Sequence, residues 1–142
     1  MSELEQYLQK RRMRKNAFTG HNFYELEAVE PDRAVYRLNI RPESLNPYGM
    51  VHGGALYTMA DDAAGTAAHT DGRSYVTQSG TLHFLDNRAH GIIRATGIIR
   101  HRGGSTALAM VEITSEDGAL LAAGEFSYFC VDRKRMKERA EE

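Results

Sequence analysis

Gly53-Gly-Ala-Leu-Tyr-Thr-Met-Ala-Asp-Asp-Ala-Ala-Gly-Thr-Ala-Ala-His-Thr-Asp-Gly72 is the one long stretch of this chain with a helical period. Leu56, Met59, Ala60, Ala63, Ala64 and Ala67 recur at spacings of three and four, which puts them on one face of an α-helix, and Asp71-Gly72 stops the repeat. The flanks read differently. Upstream, two β-rich segments, 22–29 and 34–40, are separated by the turn-forming Glu30-Pro31-Asp32-Arg33, which predicts a hairpin. Segment 41–51 carries Pro42, Asn46, Pro47 and Gly49 and predicts a long loop. Downstream, strands are expected at 74–84, 91–100, 105–115 and 119–131, punctuated by Asn87, by Arg102-Gly103-Gly104 and by the hairpin signal Asp117-Gly118. The order of elements predicts an α+β domain in which an antiparallel sheet curls around one central helix. Such a sheet leaves its outer face and edges open to pairing, so a homo-oligomer is expected.

A chain of 142 residues fits one domain and can bury roughly two thirds of its unfolded surface. Hydrophobic residues at 42% and charged residues at 26% are ordinary for a globular protein and argue against a disordered or fibrous chain. With 18 basic and 19 acidic side chains, the chain lacks the positive field of a non-specific nucleic-acid binder. The basic runs 10–15 and 133–137 read as solvated surface. Cys130 is the single cysteine, which rules out an internal disulfide and suits a reducing, cytoplasmic compartment. No stretch has the length and apolarity of a secretory signal or a membrane span. Ser2 and Glu5 resemble a capping box ahead of Leu4, Tyr7 and Leu8, predicting a short leading helix. The expected organisation is a helix and linker over 1–21, the main domain over 22–132 and a charged tail over 133–142.

Chemistry concentrates where the loop becomes the helix, from Asn46 through Gly49 and His52-Gly53-Gly54 to Asp61-Asp62. The first turn of a helix has N–H groups without intrahelical partners and the positive end of the dipole, and glycine permits close approach. Such donors can stabilise a developing oxyanion. Asp62 shares a helical strip with Thr58, Thr66 and His69 and reads as solvated. Asp61 lies in line with Tyr57, Gly65 and Ala68, where a carboxylate is out of place. That position suits either a base in a half-buried cleft or a structural contact.

Asn46, Gly49, His52-Gly53-Gly54 and Asp61, with six residues from Asn46 to His52 and nine from His52 to Asp61, resemble the PaaI-type branch of the hotdog-fold acyl-CoA thioesterases over roughly 22–131. The resemblance implies hydrolysis of acyl-CoA by a homo-oligomer, a tetramer built as a dimer of dimers. Coenzyme A is then part of the substrate, with no separate cofactor. It implies that the Gly53 N–H faces the thioester carbonyl with Asn46 assisting, that His52 orients the site, and that Asp61 from a second subunit activates water or attacks directly. Thr77 matches a hydroxyl residue that positions the water, although Thr77-Gln78-Ser79 offers two hydroxyls. Gly54 and the turn with Arg100, Arg102 and Gly103 are implied to contact substrate, the turn at the coenzyme A phosphates; its other reading is a solvated hairpin turn. Where many relatives have an Arg-Pro turn, this chain has Leu85-Asp86-Asn87-Arg88-Ala89-His90, so the rim of the acyl pocket is expected to differ.

The six histidines form no zinc-binding spacing, and no metal is expected. Ser79 lies outside any Gly-x-Ser-x-Gly elbow, and Cys130 follows Tyr128-Phe129 in an apolar strand, so neither reads as a nucleophile. A hotdog module that binds acyl-CoA without cleaving it is the alternative reading.

Overall fold

A computed structural model of the chain describes residues 17–131 together with Ser2 and Gln6. Of the expected leading helix only those two residues are described, with the Gln6 N–H donating to the Ser2 carbonyl at 3.0 Å; the charged tail lies outside the described residues. The elements are α1 (Ala17–His21), β1 (Glu25–Glu30), β2 (Arg33–Asn39), a short 3-10 turn (Pro42–Ser44), α2 (Gly53–His69), β3 (Ser74–Phe84), β4 (Ile92–Arg102), β5 (Thr106–Ser115) and β6 (Leu120–Val131). All six strands form one antiparallel sheet in the order β1-β2-β4-β5-β6-β3. Helix α1 falls inside the segment expected to be a linker.

The sheet wraps α2, whose face of Leu56, Met59, Ala60, Ala63, Ala64 and Ala67 is buried as the period predicts. Tyr36, Leu38, Ile93, Ile113 and Phe126 close over it from the strands. Small residues let the helix lie almost on the sheet. At Gly97 of β4 a Cβ would stand 2.7 Å from the Ala64 backbone nitrogen, so only glycine fits without moving α2.

The far end of α2 is held by hydrogen bonds to its last carbonyls. Arg102 donates to the Ala68 carbonyl at 3.0 Å and to the Ala67 carbonyl at 3.3 Å, and the Thr70 hydroxyl donates to the Ala67 carbonyl at 2.7 Å. A helix end satisfied in this way is a firm anchor, so the start of α2 projects from a rigid base. Strand β3, 11 residues long, lies at one edge of the sheet.

Candidate active site

At the start of α2, His52 is the N-cap, with φ −63° and ψ 136°. Its Nδ1 accepts the Gly54 N–H at 2.8 Å, which leaves the proton of the neutral ring on Nε2. The Ala55 and Leu56 N–H groups go to the His52 carbonyl at 2.9 and 3.2 Å. Of the first four helical amides only that of Gly53 has no acceptor among the described residues. The Gly54 amide, expected to face substrate, is occupied by His52.

The preceding loop is built to hold this turn in place. Asn46 Oδ1 accepts the Tyr48 N–H at 2.9 Å and the Met50 N–H at 3.2 Å, so its carbonyl side is committed to the loop and its NH2 is left to donate. Gly49 takes φ +78°, the left-handed conformation that lets the loop close. The Val51 N–H donates to the Arg88 carbonyl at 3.0 Å and the Val51 carbonyl accepts Asn87 Nδ2 at 2.9 Å. The stretch 85–90 therefore buttresses the loop. The Phe84 ring stands 3.6 Å from where a Gly53 Cβ would be.

Asp61 is half-buried two turns along α2. Its Oδ1 accepts the Thr77 hydroxyl at 2.8 Å and the Tyr128 phenol at 2.7 Å. Thr77 and Tyr128 are cross-strand partners on β3 and β6. A bulge between Thr77 and Ser79 makes Gln78 an extra residue, so Thr77 points at the helix together with Gly80 and Leu82. Ser79 turns instead to the Ser127 hydroxyl at 2.8 Å. In the sequence Tyr128 stands in an apolar strand with no role assigned; a buried tyrosine calls for a hydroxyl partner, but spacing does not name it.

Asp62 corrects the expectation of a solvated carboxylate: it is buried and accepts the Thr19 hydroxyl at 2.9 Å from α1. Burial, with the Asp62 charge nearby, pushes the Tyr24 phenol up to about 12. A cavity of ≈ 320 Å³ adjoins this side of the helix start, with Phe18, Phe23, Tyr24, His52, Ala55 and Thr58 in its wall.

The turn after β4 lies at the other end of α2, about 25 Å from Gly53 for 17 residues at ~1.5 Å each. There Arg102 is occupied: besides the helix carbonyls it donates to Asp71 and Asp32, each at 2.8 Å. The Gly103 N–H donates to the Thr106 carbonyl at 2.8 Å, and the Gly103 carbonyl accepts from Arg73. Of the residues expected at coenzyme A phosphates, Arg100 is the exposed one. Among the described residues no group of three His, Cys, Asp or Glu side chains is placed to hold a metal ion, and no helix is long and apolar enough to cross a membrane.

Residues 48–122, more than half of the chain and including the turn into α2, Asp61 and Thr77, match the model of the thioesterase superfamily. The chain belongs to that superfamily. Among relatives of this PaaI-like hotdog thioesterase, the acyl-coenzyme A thioesterase PaaI of Escherichia coli K12 is 30% identical over 90 residues, covering 63% of this chain and 64% of that protein. The 1,4-dihydroxy-2-naphthoyl-CoA hydrolase of Listeria monocytogenes is 29% identical over 115 residues, covering 78% of this chain and 92% of that one. The solved structure of E. coli PaaI superposes with a TM-score of 0.81 at 24% identity over 88% of this thioesterase and 92% of PaaI. A hypothetical thioesterase protein of Streptococcus pneumoniae, solved with coenzyme A, has a TM-score of 0.73 and 27% identity over 77% of this chain and 86% of that one. That protein has also been solved as alanine variants at an aspartate and at a threonine sixteen residues further on, the separation of Asp61 and Thr77 here.

Proposed function

We propose that this thioesterase hydrolyses acyl-coenzyme A esters at a site shared by two copies of the chain, with Gly53 of one and Asp61 of the other. The observation that carries this is a distance. The Gly53 N–H, without an acceptor among the described residues, and Asp61 lie on the same helix eight residues apart, which at ~1.5 Å per residue is about 12 Å. A carbonyl oxygen on the amide and its carbon within attack distance of the carboxylate require both groups within about 3 Å of the reacting atoms. One copy does not supply both; two copies paired along the edge strand β3 can, and the edge is long enough to pair. A tetramer of two such dimers and a cytoplasmic setting, in keeping with Cys130 as a lone thiol, belong to the same reading.

In this mechanism the thioester oxygen accepts the Gly53 N–H at the positive end of α2, with the Asn46 NH2 as second donor. Asp61 takes a proton from water as the water oxygen bonds to the carbonyl carbon. The tetrahedral intermediate then expels the coenzyme A thiolate, which leaves with that proton as the thiol. In a covalent variant Asp61 itself attacks, and water hydrolyses the resulting anhydride. Heavy oxygen from oxygen-labelled water entering the Asp61 carboxylate in a single turnover marks the covalent route. The cavity beside His52, with its aromatic wall, is the proposed seat of the acyl group, and the exposed Arg100 a proposed phosphate contact.

The test is thiol release from a panel of aryl- and alkyl-CoA esters by wild type and Asp61→Asn. Turnover by wild type that disappears in the variant supports the reading. Tight binding of the esters without turnover by wild type moves the function to a non-catalytic acyl-CoA binding module.

A further inference from the structure

The catalytic reading assigns no role to a phenol in the floor of the site. Tyr128 is 2% exposed, so substrate and water do not reach it, yet its hydroxyl is aimed at Asp61. A phenol has one proton to donate. Its two neighbours are the Asp61 main-chain carbonyl at 3.0 Å and the carboxylate oxygen Oδ1 at 2.7 Å, and the shorter contact to the charged acceptor is the stronger. Burial, reinforced by the Asp61 charge, pushes the phenol far above its ordinary range, so it remains a neutral donor.

Resting on the reading of Asp61 as base or nucleophile, we propose that Tyr128 is a positioning residue. It and Thr77 saturate Oδ1 from β6 and β3, so that Oδ2 is the oxygen presented to water or thioester. Two donors at 2.7 and 2.8 Å from cross-strand partners fix the carboxylate plane against the sheet. A free aspartate at a helix surface would sample several rotamers, and each unproductive one lowers the fraction of enzyme ready to react. Tyr128 also lies along Gly65, one turn beyond Asp61, where a Cβ would stand 3.4 Å from the ring. The phenol is thus seated by packing before the carboxylate meets it.

Tyr128→Phe keeps the ring in the core and removes only the hydroxyl. It is expected to lower kcat by about 10- to 100-fold while KM stays within about twofold, because the lost group touches Asp61 and not substrate. A defect of folding alone would lower the melting temperature and the active fraction, and with them the apparent kcat at unchanged KM, but not the turnover per active site, so melting and active-site titration accompany the kinetics. Thr77→Val serves as the second variant. Because both hydroxyls act on one oxygen, the double variant is expected to depart from the product of the single effects, whereas independent structural damage multiplies.

Wild-type kcat in Tyr128→Phe, with Asp61→Asn inactive, overturns the role of Tyr128 and leaves the catalytic reading standing. Equal losses in kcat and active fraction at constant turnover per active site overturn it as well. Full turnover in Asp61→Asn removes the catalytic reading and this inference with it.

Discussion

Arg102, at the end of β4, donates to the Asp71 carboxylate at 2.8 Å and with the same guanidinium to the last carbonyls of α2. Its fork is completed by Asp32 at 2.8 Å, in the turn between β1 and β2, so three separate segments meet on one side chain. Lysine has the charge but not the planar fork, and cannot satisfy these acceptors together. Arg102→Lys is therefore expected to cost roughly 1–2 kcal/mol of stability, the scale of losing charged hydrogen bonds at a half-buried side chain. Thermal or denaturant unfolding checks the cost. The KM for a coenzyme A ester is expected to stay within about twofold in this variant, whereas a large rise would return Arg102 to the phosphate contact.

The Asp71 carboxyl makes stability depend on acidity. Burial alone would raise it, but hydrogen bonds from Tyr75 and Arg73 and the charge of Arg102 outweigh that and hold it at about 2 rather than 3.8. Because the folded value is the lower one, the stabilisation is fully present above about pH 4 and is lost as pH falls through about 2. Asp71 is largely exposed, so solvent screening reduces the contribution to on the order of 1 kcal/mol. Asp71→Asn removes this contribution, so its stability gap from wild type is expected to be widest near neutrality and to shrink below pH 4. Denaturant titrations from pH 7 to pH 2.5 read it; a gap that stays constant over that range contradicts the assignment.

The parts of the fold legible in the sequence were those written in local period. The alanine-rich repeat of α2 and the turn residues around β3 to β6 carry their own geometry, and β3 occupies 74–84 as its pattern predicts. The site was legible as far as it depends on one helix start: His52, Gly53 and Gly54 form the expected turn. What escaped depends on which neighbour covers a given strip. Asp62 is neighboured on its own helix by polar residues, and it is buried with Thr19 of α1, from a segment with no strong pattern, donating to it. The resemblance names Thr77, but its own strand pattern does not: it faces Asp61 because Gln78 is a bulge, which shifts the inward phase of β3 by one residue and leaves no mark in composition. Tyr128 fits an apolar strand so well that its hydroxyl went unread.

The Gly53 amide can be deleted without deleting the helix. Gly53 is the first residue of α2, where proline is a favoured occupant because its missing N–H is one that the helix does not use. His52 ahead of it already has φ −63° and ψ 136°, the extended conformation that a residue before proline prefers. A Cβ at position 53 meets the Phe84 ring at 3.6 Å, an ordinary van der Waals contact. Gly53→Pro is thus expected to fold with a melting temperature within a few degrees of wild type while its kcat falls by about 10²- to 10³-fold, the cost of losing one oxyanion donor. Gly53→Ala retains the N–H and adds nearly the same contact with Phe84, so it separates steric from electrostatic loss. If alanine is as damaging as proline, the ring contact is responsible. If proline alone abolishes turnover, the amide carries the charge of the transition state.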